Sequence, residues 1–447
     1  MNRHPYTREA CVTIIVMLLL MGAGCLGGNN EPCPNDTGPN TDLAPHISLV
    51  ADYSNQEVVT ANVRALDIDD DGTNEIVFTE PLEGRISWVQ TPCEEGEDPT
   101  GTYWSPCQET WYSEGLIAPV RTDAADLNGD GYTDIIVADI GILWPSDERV
   151  GSVVVLWGSV GGNRTNETIL TGIGRTACAE AGDLDGDGDI DLTLCEFGHE
   201  NGSVSWIENV GDGNWTQHVI DARPGAIHAV PFDADGDGDL DIAASISQLE
   251  EDIMLYRNDG NGTFSAETLF DSTDTYYGMS GLRIMDLDVD GDDDIVFTNG
   301  DTMDRDVPDG MDPYQIHGVA WLENDAGLFT HHDLTRHWGA YDTLLYDVDE
   351  DGDEDLIVVS LQFEDLFPIT VPRQDVIWLE RNGTDWVRHE PVDVPRMFFI
   401  TLAQADMDGD GDLDIVGATH DPLAQAENPA RLGELLAHVE PGAEHCS

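Results

Sequence analysis

Asp183-Leu184-Asp185-Gly186-Asp187-Gly188-Asp189-Ile190-Asp191 carries carboxylates at positions 1, 3, 5 and 9 and glycine at position 6. Alternate acids on a tight loop point several oxygens at one centre. Such a cluster repels itself unless a hard cation sits inside it, and oxygen-only ligation suits calcium far better than zinc or copper. The glycine permits the backbone conformation that wraps the loop around an ion.

The pattern occurs seven times, starting at Asp67, Asp126, Asp183, Asp233, Asp286, Asp347 and Asp406, with spacings of 59, 57, 50, 53, 61 and 59 residues. Plain acidic turns need no such fixed spacing. Taken as oxygen cages, the loops offer four side-chain ligands each. These are Asp67, Asp69, Asp71 and Glu75 in the first, and Asp126, Asn128, Asp130 and Asp134 in the second. The third offers Asp183, Asp185, Asp187 and Asp191, and the fourth Asp233, Asp235, Asp237 and Asp241. Asp286, Asp288, Asp290 and Asp294 follow, then Asp347, Asp349, Asp351 and Asp355, then Asp406, Asp408, Asp410 and Asp414. A backbone carbonyl at position 7 and water complete the shell, so the chain is expected to hold up to seven calcium ions. Asn128 brings one charge less, which weakens the second site. No bidentate glutamate stands at position 12, and strand-like segments flank the loops, which argues against a helical calcium hand. Affinity is expected in the weak extracellular range, about 10⁻⁴ to 10⁻³ M.

Each repeat has one internal order. A β-rich segment precedes the loop, and a short apolar strand follows it, as in Ile135-Ile136-Val137. A strand centred on an aromatic comes next: Trp88, Trp157, Trp206, Tyr256, Trp321 or Trp378. A glycine turn and a fourth strand close the unit. Three fourth strands set an aromatic three residues before a histidine, at Trp215 and His218, Phe329 and His332, Trp386 and His389. A lone four-stranded sheet cannot bury both faces, and radial repetition solves this by packing each sheet on its neighbours. The expected fold is all-β, a seven-bladed β-propeller of four-stranded antiparallel blades. The recurring tryptophans are expected in the core between blades.

The repeats resemble the FG-GAP or VCBS type of integrin alpha-like propellers and secreted prokaryotic proteins. The resemblance rests on the acidic loop before an Ile/Leu-rich strand and on Trp-x-Glu-Asn segments at Trp206-Ile207-Glu208-Asn209 and Trp321-Leu322-Glu323-Asn324. Trp378-Leu379-Glu380-Arg381 departs only at its last place. The resemblance implies calcium loops on one face and ligand binding on the other, on loops before the first strand and after the second.

The seventh repeat lacks a fourth strand, and His46 to Val50 is left over at the other end of the chain. Pairing it with the third strand at residues 436–440 closes the ring and leaves no long open edge. That placement brings Cys33 near Cys446, while Cys93 and Cys107 flank a long turn. Cys178 and Cys195 stand on antiparallel neighbours, and these three pairs are the expected disulfides.

The formal charge is −71, and every one of the 18 basic residues is arginine. Nucleic-acid binding is excluded, because phosphate neutralisation needs a basic face. Such a surface keeps a protein soluble and monomeric by self-repulsion, and salt-adapted proteins use that lever. Arg3 and Arg8 precede the apolar run Cys11 to Met21, an export signal too short to span a membrane confidently. Gly22-Ala23-Gly24-Cys25 resembles a lipobox, although Gly22 stands where leucine is usual. The expected organisation is a lipoprotein-like signal peptide over residues 1–24, a flexible tether over 25–45, and the propeller over 46–447. Lipid on Cys25 would hold the protein at the membrane on the cell surface.

Function is expected on the face opposite the acidic loops, where loop lengths vary most. The longest loop there carries Asp306, Asp309, Tyr314 and His317, and others offer Trp144, His199 and His420. Arg223, Tyr276, His337 and Arg396 each stand ten residues before an acidic loop, a ring that would suit an anion or sugar acid. No nucleophile elbow, phosphate loop or catalytic triad spacing is visible. The expectation is therefore a binding or adhesion module for an extracellular glycan or protein. The alternative is an enzyme resembling polysaccharide lyases, which use His, Tyr and Arg.

Overall fold

A computed structural model describes residues 14–15, 49–50, 60–92, 109–272, 274, 276–301, 315–349, 351–362, 374–390, 399–407 and 413–419. They form an all-β propeller of four-stranded antiparallel blades, six of them complete among the described residues. The first blade runs Val63–Leu66, Glu75–Glu80, Arg85–Val89, Glu109–Tyr112, and the second Pro119–Ala125, Asp134–Asp139, Gly151–Trp157, Thr165–Ile173. The third runs Thr176–Cys178 with Ala181–Gly182, then Asp191–Glu196, Ser203–Gly211, Asn214–Asp221. The fourth runs Ala226–Phe232, Asp241–Ser247, Glu251–Asn258, Phe264–Ser272. The fifth runs Met279–Met285, Asp294–Asn299, Gly318–Asp325, Leu328–Arg336, and the sixth Ala340–Tyr346, Asp355–Ser360, Val376–Asn382, Asp385–His389.

The second strand of each blade is apolar on both faces because both are covered. Glu75–Glu80, Asp134–Asp139, Asp191–Glu196, Asp294–Asn299 and Asp355–Ser360 are buried at every position. The core lies between blades rather than within them. One cluster joins Val204 and Trp206 of the third blade to Ala229, Ile242, Met254 and Tyr256 of the fourth. Of the six recurring aromatics Trp206, Tyr256 and Trp378 are 5%, 0% and 8% exposed, and Trp88, Trp157 and Trp321 are half-buried against inter-blade clusters. Register explains the paired histidines: His218, His332 and His389 stand directly opposite Trp206, Trp321 and Trp378. Their rings lie 4.7, 4.8 and 4.5 Å apart. In the hairpin of the third blade Asp212 and Gly213 have φ of 53° and 74°, the left-handed pair that a tight hairpin turn requires.

Phe399–Ala405 pairs with Asp414–Thr419, and the first of these strands touches Ala340–Tyr346 of the sixth blade and Val63–Leu66 of the first. The seventh unit therefore lies in the gap of the ring, with two strands among the described residues. Leu49–Val50, expected in the closure, pairs with Ile14–Ile15. Its expected partner, residues 436–440, lies outside the described residues. Cys178 and Cys195 are directly opposed and disulfide-bonded. Cys25, Cys33, Cys93, Cys107 and Cys446 also lie outside the described residues.

Candidate metal loops and the channel opposite them

Each acidic loop joins the first strand of a blade to the second, so all of them emerge at one end of the sheets. At position 6 the glycines have φ between 86° and 102° in the first, second, third, fourth, fifth and sixth loops. At all six, Gly72, Gly131, Gly188, Gly238, Gly291 and Gly352, a Cβ would meet nothing within 4 Å. Glycine is needed there for its backbone angle and not for space. In five loops three carboxylates each bring an oxygen within 4.8 Å of the others: Asp67, Asp69, Asp71; Asp183, Asp185, Asp191; Asp233, Asp235, Asp237; Asp286, Asp288, Asp290; Asp347, Asp349, Asp351. In the second loop Asn128 stands in place of the middle acid, and Asp408 and Asp410 of the seventh lie outside the described residues.

The donor set fits a hard divalent cation. It is oxygen throughout, and Asp67 Oδ1, Glu75 Oε1 and Asp349 Oδ1 are buried acceptors with no hydrogen-bond partner among the described residues. Asp185, Asp288 and Asp349 are held above the usual carboxylate range, first by burial and then by neighbouring acids. A calcium ion would be held by the carboxylates at positions 1, 3 and 5, or 1, 3 and 9 in the third loop, and would neutralise that repulsion.

Position 9 also closes the loop mechanically. One oxygen accepts the N–H of residue 2 in all seven loops, from Ile68 (2.9 Å) through Leu127, Leu184, Ala234, Leu287 and Val348 to Met407 (2.7 Å). The other accepts an N–H from the third strand or the residue after it: Gly158, Asn209, Asn258, Asn324 and Arg381, at 2.7 to 2.9 Å. In the first blade no such donor stands among the described residues, and Glu75 Oε1 has no hydrogen-bond partner there. Burial pushes Asp191, Asp241, Asp294 and Asp355 up to about 6, and Glu75 to about 7.

The first strands surround a cavity of about 860 Å³ that reaches from Asn74 of the first acidic loop to the opposite end. All six blades and Phe399–Ala405 line it, together with loops that follow second strands: Leu82, Trp144, Phe197 and Asp301. The loop carrying Trp144 is pinned from two sides. Arg175 donates to the carbonyls of Ile142 (3.0 Å) and Leu143 (2.6 Å), its guanidinium 4.9 Å from the Phe197 ring centre. Asp147 accepts the N–H groups of Glu200 and Asn201 at 2.8 and 3.0 Å. Trp144 itself is 71% exposed.

Deeper in the cavity, charges from neighbouring first strands pair across blades. Arg64 meets Asp123 at 3.0 Å, Arg121 meets Glu180 at 3.2 Å, and Arg283 meets Asp342 at 2.5 Å. Among the described residues Arg64, Arg121, Arg175 and Arg283 line the wall with Glu180, Asp301 and Asp342, and Asp123 pairs with Arg64, in a chain of net charge −71. Burial, then the nearby Arg64 and Arg283, hold Arg121 below the usual arginine range, partly offset by Glu180. His228 is buried, which keeps it neutral, and its Nε2 lies 3.0 Å from the Ser280 carbonyl, so Nε2 carries the proton.

The ring expected from Arg223, Tyr276, His337 and Arg396 does not form among the described residues. Arg223 is spent on Asp221, Glu250 and Asp252 at 2.9, 2.5 and 2.8 Å. His337 is 2% exposed, Tyr276 lies outside the cavity wall, and Arg396 lies outside the described residues. Arg223, Tyr276 and His337 sit in connections running from the rim of one blade to the hub of the next, so they do not face the axis. The residues that do face it, Arg64, Arg121 and Arg283, were missed. The two-residue alternation of Arg121-Thr122-Asp123 was the signal available for them. His317 is 1% exposed, and Asp306, Asp309, Tyr314 and His420 lie outside the described residues.

The FG-GAP-like repeat family matches residues 126–194 and 245–297, and the chain carries FG-GAP-like repeats on a β-propeller. No curated protein matches the sequence. Among solved structures, rhamnogalacturonan lyase YesW is similar at 13% identity and a TM-score of 0.41, over 87% of this chain and 73% of that one.

Proposed function

We propose that this chain is an exported, calcium-fastened propeller that binds an extracellular glycan or protein at the channel mouth opposite its acidic loops. The observation that carries the reading is the cavity of about 860 Å³, with an exposed tryptophan on a pinned loop at its rim and arginines in its wall. Aromatic faces supply contact area at low entropic cost, and a concave site with a few polar groups is the usual form of a ligand pocket. In a chain this acidic, a wall whose acids are matched by arginines is the surface least repellent to ligands that carry carboxylates. The ions have a structural role, with up to seven calcium ions each pinning one hairpin. In the same reading the unit containing Phe399–Ala405 and Asp414–Thr419 completes the ring as a seventh blade. The chain acts as a monomer, anchored by lipid on Cys25 at the cell surface after removal of residues 1–24.

A glycan array with the full chain, beside Trp144→Ala, tests this. Binding to carboxylated glycans, weakened about thirtyfold in Trp144→Ala, is the expected result. Unchanged binding by that variant would overturn the placement of the site. One observation favours a second reading, a polysaccharide lyase-like enzyme: His228, Tyr341 and Arg283 line the same cavity. Release of unsaturated sugar followed by ultraviolet absorbance, and lost in His228→Ala, would replace the binding reading with that one.

A further inference from the structure

From the first blade to the sixth, one side chain at every blade junction joins two acidic loops. Asn209 Nδ2 donates to the carbonyl of Leu127, residue 2 of the preceding blade's loop, at 3.0 Å, and to that of Ile190, residue 8 of its own loop, at 3.2 Å. Asn258 does the same with Leu184 (2.7 Å) and Leu240 (2.9 Å), and Asn324 with Ala234 (3.0 Å) and Asp293 (2.9 Å). Two junctions lack asparagine, and arginine takes its place. Arg381 reaches Leu287 and Glu354, which accounts for the departure from Trp-x-Glu-Asn at that position. Arg164, from the turn before its fourth strand, reaches Ile68 and Thr133.

The carbonyls that receive these bonds sit at decisive points. Residue 2 gives its N–H to the position 9 carboxylate, and its carbonyl belongs to the peptide that leads into the cage ligand at position 3. The carbonyl of residue 8 belongs to the peptide that leads into position 9. The backbone N–H of Asn209, Asn258, Asn324 and Arg381 binds the position 9 carboxylate of its own blade as well. One residue therefore fixes the approach to a ligand in one loop and the closing clamp of the next.

We infer that Asn209, Asn258, Asn324, Arg381 and Arg164 are positioning residues that couple cation binding between adjacent loops, so that calcium loads the ring cooperatively. The inference rests on the calcium reading of the loops. An ion that orders one loop sets the peptide held by the bridge, and the bridge presents the next loop already closed. The second ion then meets a smaller ordering cost, which is positive cooperativity.

Calorimetric titration of the full chain with calcium tests this, comparing wild type with Asn258→Ala and Asn258→Arg. Wild type is expected to bind with a Hill coefficient above one. Asn258→Ala is expected to flatten the isotherm and weaken the affected loops by about fivefold or more. Asn258→Arg should restore coupling, since arginine already serves at two junctions. An isotherm of unchanged shape in Asn258→Ala, with only a lower melting temperature equal in calcium and chelator, would reduce the bridge to packing and overturn the inference. Independent sites in wild type would overturn it while leaving the calcium reading intact, whereas no calcium uptake would remove both. Should Asn258→Ala not fold, hydrogen exchange of wild type at sub-saturating calcium decides. Molecules with all loops protected or none support coupling, and loop-by-loop protection contradicts it.

Discussion

Replacing Arg283 with methionine should cost about 3 kcal/mol of unfolding free energy. The guanidinium ties three units together. Nε and Nη2 donate to Asp342 of the sixth blade at 2.8 and 2.5 Å, and Nη2 also donates to the Leu402 carbonyl of the seventh unit at 2.7 Å. Without it, Asp342 is left 6% exposed with, among the described residues, the N–H groups of Thr343 (2.9 Å) and Leu402 (2.8 Å) as donors. Removing one partner of a buried ion pair costs about 3–5 kcal/mol, mostly as the penalty of the orphaned charge. The arginine side chain is 28% exposed toward the channel, which places the expectation at the lower end. Adding Asp342→Leu removes the orphan, and the double variant should return to within about 1 kcal/mol of wild type. Urea unfolding at saturating calcium measures both. A single variant costing under about 1 kcal/mol, or a double variant no better than the single, would refute the claim that channel pairs staple the blades.

Acid should destabilise the fold through two histidines. Burial holds His317 and His337 near 3, against an ordinary value of 6.5. Below pH 6.5 the unfolded chain therefore binds protons that the folded chain refuses. Stability falls as pH drops from 6.5 toward 3, by about 1.4 kcal/mol per pH unit for each histidine. In chelator the position 9 carboxylates act in the opposite sense. With folded values of about 6 against an ordinary 3.8, their contribution is full at low pH and lost as pH rises through 6. The difference between wild type and a His317→Gln/His337→Gln variant isolates the histidines, and parallel pH profiles for the two would contradict the assignment. Cys178→Ala/Cys195→Ala opens a loop with a sequence separation of 17 residues and should lose about 3 kcal/mol. An unchanged urea midpoint would show that the bond carries no stability.

Much of the fold was legible because the repeat states it many times. Seven acidic loops in register set the strand order, and the aromatic third strands located the core between blades. The Cys178–Cys195 bond followed from antiparallel pairing of residues close in the chain. What stayed hidden depends on direction around the axis. The strand pattern shows which residues alternate, but not which face of a first strand looks into the channel, so Arg64, Arg121 and Arg283 went unnoticed. Spacing aligns Arg223 with Tyr276, His337 and Arg396, yet it lies in a rim connection among acids. The bridging asparagines were read as part of a repeat signature. Their partners lie 74 to 90 residues away in the preceding blade, as with Asn258 to Leu184 and Asn324 to Ala234, and no local pattern points that far.

The claim on which the rest depends is that the acidic loops hold calcium and fasten the blades. With a dissociation constant of about 1 mM and 10 mM calcium, each loaded loop contributes about 1.4 kcal/mol. The five clusters whose carboxylates converge within 4.8 Å would together supply about 7 kcal/mol. The direct measurement is the melting temperature of the full chain in 10 mM calcium and in EGTA, beside the calcium content of the dialysed protein. Several equivalents of bound calcium and a melting temperature that falls by many degrees in EGTA are predicted. Protein that retains no calcium and melts at the same temperature in both would contradict the account.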